Sequence, residues 1–280
     1  MNSTNMRLVD WVRNRQSPTK WVILCKAVLK KQFTIMLRYR VNFAINIVTM
    51  YVLFAIVFFG GQAAVSQAGG SFNSLDSTLN GLIVGWFLWT MSQGAYSGLA
   101  SNVTQESEWG TLEQLFMSPF GFGGVMWVKA IVNLVQSTVV GGIMLLLMMV
   151  TTGRILTVDL VTIGPILVLT IFTIIGFGFA FGGLALIYKR VQSVSNIMQF
   201  AMVGLISAPV ADISWLRALP LVQGSGMLQA SMRRGVRLWE FAPPKLVVLV
   251  VTAIVYPLVG YVIFSYCSSV ARRRGVMGHY

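Results

Sequence analysis

Six stretches of this chain carry no Asp, Glu, Lys or Arg: residues 41–75, 77–105, 130–153, 160–188, 191–211 and 246–271. Each holds at least 21 residues, and about 20 apolar residues suffice to carry a helix across a hydrocarbon core roughly 30 Å thick. The pattern predicts six transmembrane helices, near 43–64, 82–103, 125–150, 160–187, 194–211 and 246–270. A β-barrel would need alternating segments of about ten residues, whereas these stretches are continuously apolar. The expected fold is therefore all-α and membrane-embedded. It forms a single transmembrane domain over 1–280, comprising a basic segment with an interfacial helix (1–42), the six-helix bundle (43–270) and a tail (271–280).

The polar positions between these stretches add detail. In 20–40, Lys26, Lys30, Thr34 and Arg38 recur every four residues, while Trp21, Leu24, Val28, Ile35 and Tyr39 can face the other way. This predicts a helix lying in the membrane interface, its basic face toward anionic headgroups, where each charge contributes about 1 kcal/mol. Nucleic acid as the partner of that basic run would leave the apolar face uncovered, so none is expected. The stretch 218–232 is uncharged but too short to span, and it contains Pro220, Gly224 and Gly226. A broken or re-entrant pair of half-helices fits it, provided neighbours satisfy the freed backbone groups. The loop expected at 65–80 has two glycines, serines, Asp76 and no Lys or Arg.

Composition agrees with the periodicity. Hydrophobic residues make up 56% and charged residues 10%, with mean hydropathy +0.74 and formal charge +13, outside the range of soluble domains. Both termini are expected in the cytoplasm, because that orientation puts fifteen basic residues inside and six outside. The six include Arg217 and also Arg233, Arg234 and Arg237, the last three expected at the outer headgroup level. The location implied is a cell membrane, crossed several times. No cleavable signal is expected, since nine basic residues precede the first apolar stretch. Two cysteines, Cys25 and Cys267, and one histidine, His279, cannot build a zinc site inside the membrane.

The least expected polar stretch is 106–129, ESEWGTLEQLFMSPFGFGGVMWVK, which holds Glu106, Glu108 and Glu113, three of only eight acidic residues. Thr111 with Gln114 fits a capping box, starting a helix at Leu112 that Pro119 ends after about two turns. Leu112, Leu115 and Phe116 form one apolar stripe, suited to a membrane, to a partner's groove or to an ordinary loop helix.

The run GTLEQLFMSP, with Glu106 and Glu108 before it and Lys129 after it, resembles the signature of ABC transporter permeases of the type-2 exporter family. The match covers about 25 residues, and the six-span layout extends it over nearly the whole chain. The resemblance implies that Glu106, Glu108, Gly110, Thr111, Leu112, Glu113, Leu115, Phe116 and Pro119 form a cytoplasmic coupling helix contacting separate ABC ATPase subunits. It further implies that the chain works with a second permease copy or homologue, and that ATP and Mg are bound by the ATPase and not here.

Absent motifs are consistent with that division of labour. The sequence has no phosphate-binding GxxxxGK[ST] loop, and the six stretches hold no acidic residue for proton or sodium coupling. No enzymatic site is expected. Trp86, Trp89, Met91, Gln93 and Tyr96 in the second predicted helix, and Asn196, Met198, Gln199, Phe200 and Met202 in the fifth, are candidates to line a substrate path, or else ordinary packing residues. Gly94, Ser97, Gly98 and Ser101 suggest close helix contacts. The function expected is export of an amphipathic or hydrophobic substrate, such as a drug, antibiotic or lipid. The alternatives are polysaccharide or ion export by the same kind of complex, or a non-transport scaffold or channel subunit.

Overall fold

The computed structural model describes residues 18–67, 72–188, 192–208 and 214–273. Most of the basic segment before Pro18, the pair Lys189 and Arg190, Pro209 and the tail beyond Arg273 lie outside the described residues. Among the described residues the α-helices are α1 (Pro18–Arg38), α2 (Arg40–Gln67), α3 (Phe72–Glu108), α4 (Leu112–Phe116), α5 (Gly121–Thr152), α6 (Leu160–Tyr188), α7 (Gln192–Ser207), α8 (Val222–Arg234) and α9 (Pro243–Arg273). Short 3-10 turns cover Ser214–Ala218 and Leu238–Glu240, and no strand occurs among the described residues.

Among the described residues four helices are long and apolar enough to cross a membrane: Arg40–Ala64 of α2, and α5, α6 and α9. This is a multi-pass helical architecture, with two fewer such spans than the six expected. The two shortfalls have different causes. α3 has 37 residues, about 55 Å, so length is ample, but Thr90, Ser92, Gln93, Ser97, Ser101 and Asn102 dilute its apolar middle. α7 has 16 residues, about 24 Å, and 209–213 are outside the described residues. The expected loop at 65–80 is also much reduced, because α2 continues to Gln67 and α3 begins at Phe72. Asp76 and the serines there do not prevent helix.

α6 occupies the centre. On one side it meets α9 backbone to backbone: a Cβ at Gly260 would lie 2.0 Å from the Gly176 carbonyl oxygen, and one at Gly176 would lie 2.2 Å from that of Tyr256. Only glycine permits this approach. On its other side Gly178 faces the Ala95 and Tyr96 carbonyls of α3. α3 then meets α5 where Gly94 packs on Ser137 and Gly98 on Asn133. Two of the four small residues expected at close contacts are therefore placed there, whereas Ser97 and Ser101 line a cavity.

α1 packs a stripe of Trp21, Leu24, Val28, Gln32 and Ile35 toward the bundle and leaves Lys26, Lys30, Thr34 and Arg38 exposed. Tyr39, expected on the packed side, is exposed instead at the break between α1 and α2.

At the end of the bundle remote from α4, the chain after α7 turns inward. The Tyr256 hydroxyl, thirteen residues into α9, donates to the Ala218 carbonyl at 3.0 Å. Gly224 packs on Thr170, ten residues into α6. These levels lie about 15 to 20 Å inside their helices. α8 then climbs back, and the Met232 carbonyl accepts the Thr157 amide at 3.1 Å in the α5–α6 connection. Arg234 and Arg237 are exposed, but Arg233 turns back against Gly81 of α3 and lines a pocket.

Candidate functional site

The last turn of α3 closes with Gly110 in the left-handed region (φ 67°). The Thr111 amide donates to the Glu106 carbonyl at 2.9 Å and the Gly110 amide to that of Ser107 at 3.0 Å, the paired bonds of a Schellman motif. Glycine is required there because other residues pay for positive φ. This turn aims the Glu106 side chain inward. Its Oε1 accepts from Lys129 Nζ of α5 at 2.7 Å and from Lys31 Nζ of α1 at 3.1 Å, and its Oε2 accepts from the Thr111 hydroxyl. Glu106 and Lys129 are almost wholly buried, while Lys31 is half exposed. Burial pushes the Glu106 carboxyl upward, but bonds from Lys129 and Thr111, the charge of Lys129 and the bond from Lys31 outweigh it and hold the pKa down at about 2.

That node explains why the capping box does not form. Thr111 is already helical in backbone (φ −95°, ψ −3°) and makes no side-chain cap bond. Its hydroxyl is committed to a charged acceptor, a bond roughly twice as strong as a neutral one. α4 starts at Leu112 as expected but ends at Phe116, shorter than two turns. Its apolar stripe faces the bundle: Leu112 is buried, and Phe116 stacks on Phe122 with ring centroids 4.0 Å apart. Arg272 of α9 lies over the Phe116 ring, 5.8 Å from its centroid. Glu108, Trp109, Glu113, Gln114, Met117 and Pro119 remain exposed. The result is a short acid-bearing knob, held from behind by a buried ion pair.

Two cavities lie along α3. A polar one of about 640 Å³ runs between α1, α2, α3 and α5, lined by Gln32, Asn42, Asn46, Gln93, Asn102, Gln105, Asn133 and Gln136 together with Thr90, Ser97, Ser101 and Ser137. No charged residue lines it among the described residues. The second, about 690 Å³, lies toward the other end between α2, α3, α7 and α8, lined largely by Leu82, Trp86, Trp89, Phe200, Val203 and Ile206, with Arg233. At their junction Gln93 Nε2 donates to Gln199 Oε1 at 3.0 Å, and these two residues line opposite cavities.

The expected path residues divide accordingly. Trp86, Trp89 and Phe200 line the apolar pocket. Tyr96 does not belong to either cavity; it is buried, with its hydroxyl donating to the Ser195 carbonyl at 3.0 Å and its ring against Phe181. Met202 is fully buried core, Met198 packs against the core from its edge, and Asn196 is exposed. Gln93 and Gln199, also path candidates, line one cavity each, and the residues missed are the remaining carboxamides. Their signal was present: Asn42 and Asn46, then Gln93, Ser97, Ser101 and Gln105, then Asn133 and Ser137, each recur at intervals of four within apolar helices, the spacing of one helical face.

In comparisons with known proteins, no family model, no curated protein and no solved structure matches this chain.

Proposed function

We propose that this chain is the transmembrane subunit of an ATP-driven exporter of the type-2 ABC kind, paired with a second permease and served by separate ATPase subunits. In this reading α3 and α7 join the four long apolar helices as spans, α8 is a re-entrant helix, and both termini and α4 lie in the cytoplasm of a cell membrane. The substrate is amphipathic or hydrophobic. The observation that carries the reading is the knob: Glu108 and Glu113 are exposed on either side of the turn into α4, while Leu112, Leu115 and Phe116 of α4 are seated on the bundle. An ATPase pressing on it acts through Glu106 on α1 and α5 together, since Lys31 and Lys129 both bind that carboxylate. Driving a two-state bundle from 1:99 to 99:1 takes about 5.5 kcal/mol of differential binding, a load that a rigidly based knob transmits better than a mobile loop.

Charge reversal tests this more sharply than truncation, because repulsion also opposes docking. Glu108→Lys/Glu113→Lys should leave expression and membrane insertion unchanged, because both side chains are exposed. ATP hydrolysis co-purifying with the tagged chain should fall to background. Wild-type hydrolysis in the double variant would return α4 to the status of a connecting turn.

A further inference from the structure

The polar cavity is a more specific feature than an exporter's greasy path requires. Carboxamides and hydroxyls from four helices line it beside the apolar Phe43, Ile47, Met50 and Val140, two of those helices are long apolar spans, and no charged residue lines it among the described residues. An ion entering such a site loses its water without gaining a counter-ion, which is unfavourable. A neutral group bearing both donors and acceptors meets both in every carboxamide. The lining residues also carry unmet hydrogen-bonding capacity: Asn133 Nδ2 and Gln93 Oε1 in the polar cavity, and Trp86 Nε1 and Trp89 Nε1 in the apolar pocket, are buried without a partner. Buried polar atoms are rarely left so, and each calls for an explanation. Asn133 is itself only 6% exposed, and Gly98 makes room for its amide, a Cβ there falling 2.8 Å from Nδ2.

The two cavities share α3 as a wall. From Gln105 to Thr78 they cover about 40 Å of helix rise, more than the roughly 30 Å of a hydrocarbon core. Polar lining gives way to aromatic lining at Gln93, where the bond to Gln199 separates them. Each volume is within the roughly 300 to 1,000 Å³ of ordinary ligand pockets.

We infer that the polar cavity binds an uncharged head group rich in hydroxyls or amides, belonging to an amphiphile whose apolar part occupies the Trp86–Trp89–Phe200 pocket once the Gln93–Gln199 bond opens. This rests on the export reading for its biological meaning, but its test needs neither ATP nor transport.

The protein in nanodiscs is photolabelled with dodecyl maltoside carrying a diazirine in its alkyl chain, and adducts are mapped by peptide mass spectrometry. Label should fall on peptides containing Trp86–Trp89 and Phe200. Unlabelled dodecyl maltoside should compete better than dodecyl sulfate or dodecyltrimethylammonium by about tenfold or more, as expected when a buried charge goes unpaired. Free maltose separates the sources of the head group: if it competes alone the cavity takes a soluble glycoside, and if only chain-bearing glycosides compete it takes a lipid-like one. Asn133→Leu should abolish that preference. Gln136→Glu keeps the acceptor used by Gln32 Nε2 at 2.6 Å and should raise competition by the trimethylammonium head about tenfold, through an ion pair with a counter-charge that the cavity otherwise does not offer. A gain of that kind cannot come from misfolding. Equal competition by all three heads, or no gain for the cation in Gln136→Glu, overturns the inference. Glu108→Lys/Glu113→Lys should label like wild type, so loss of coupling there would leave this result standing, and the reverse.

Discussion

α2 and α6 have nearly equal mean hydropathy over their spans, 2.3 and 2.4, yet the first is 11% buried within the chain and the second 56%. Hydropathy therefore shows which segments suit a membrane and says nothing about which one forms the centre. The distinction lies in small residues. α6 brings Gly176, Gly178 and Gly183 against the backbones of α9 and α3, whereas Gly60 and Gly61 of α2 face open space. The seam of α6 with α9 is packed backbone to backbone and leaves no room for a Cβ at Gly176 or Gly260. The opposite flank, where α2 and α5 face α3, is lined with amides and encloses room for a ligand.

The largest effect should come from filling the seam. Gly260→Val places a branched side chain where even a Cβ lies 2.0 Å from a carbonyl oxygen, so a loss above about 4 kcal/mol is expected. Size-exclusion profiles should show no monodisperse protein. A normal profile would mean the seam is looser than the flank.

Next comes the joint between flank and knob. Lys129→Met leaves Glu106 buried with Lys31 alone, and breaking a buried pair costs about 3 to 5 kcal/mol. The lower end is expected because Lys31 still neutralises part of the charge. Lys129→Met/Glu106→Leu should recover most of the thermal midpoint, since removing both charges leaves none unpaired. A double variant as unstable as the single one would assign the loss to packing.

A smaller effect should follow pH. The folded Glu106 pKa of about 2 lies below its ordinary 4.5, so its stabilisation is fully present above pH 4.5 and disappears as pH falls toward 2. By pH 3.5 about 1 kcal/mol should be lost. Comparing thermal midpoints of wild type and Glu106→Gln from pH 7 to 3.5 isolates this, because the variant lacks that slope.

The smallest change belongs to α2. Gly61→Ala adds a methyl where nothing lies within 4 Å, and relief of helix-interior glycine should raise stability by at most about 0.5 to 1 kcal/mol. A fall in the midpoint would show that this face is covered.

Much of the helical layout was legible because long uncharged stretches leave the backbone no alternative to internal hydrogen bonding. Predicted bounds for α5, α6 and α9 lie within about four residues of those observed. Less legible was any choice between chemically adequate partners. Thr111 could cap α4 or serve Glu106, and only the arrival of Lys129 and Lys31 at the same point decides it. Tyr96 and Met202 had the chemistry of a path but point into the core, because facing depends on neighbours that spacing alone does not name. The amide lining was readable as spacing on separate helices, but its convergence was not.

The Glu106 junction also has an order in time. Lys31 precedes Glu106 by 75 residues and Lys129 follows it by 23. At ribosomal speeds of about 5 to 20 residues per second, the carboxylate waits roughly one to five seconds for the lysine that finally shares its burial. During that interval Lys31, on a helix already made, is the counter-ion at hand. Of the two lysines that share the carboxylate, the half-exposed one is therefore the one already synthesised when Glu106 joins the chain.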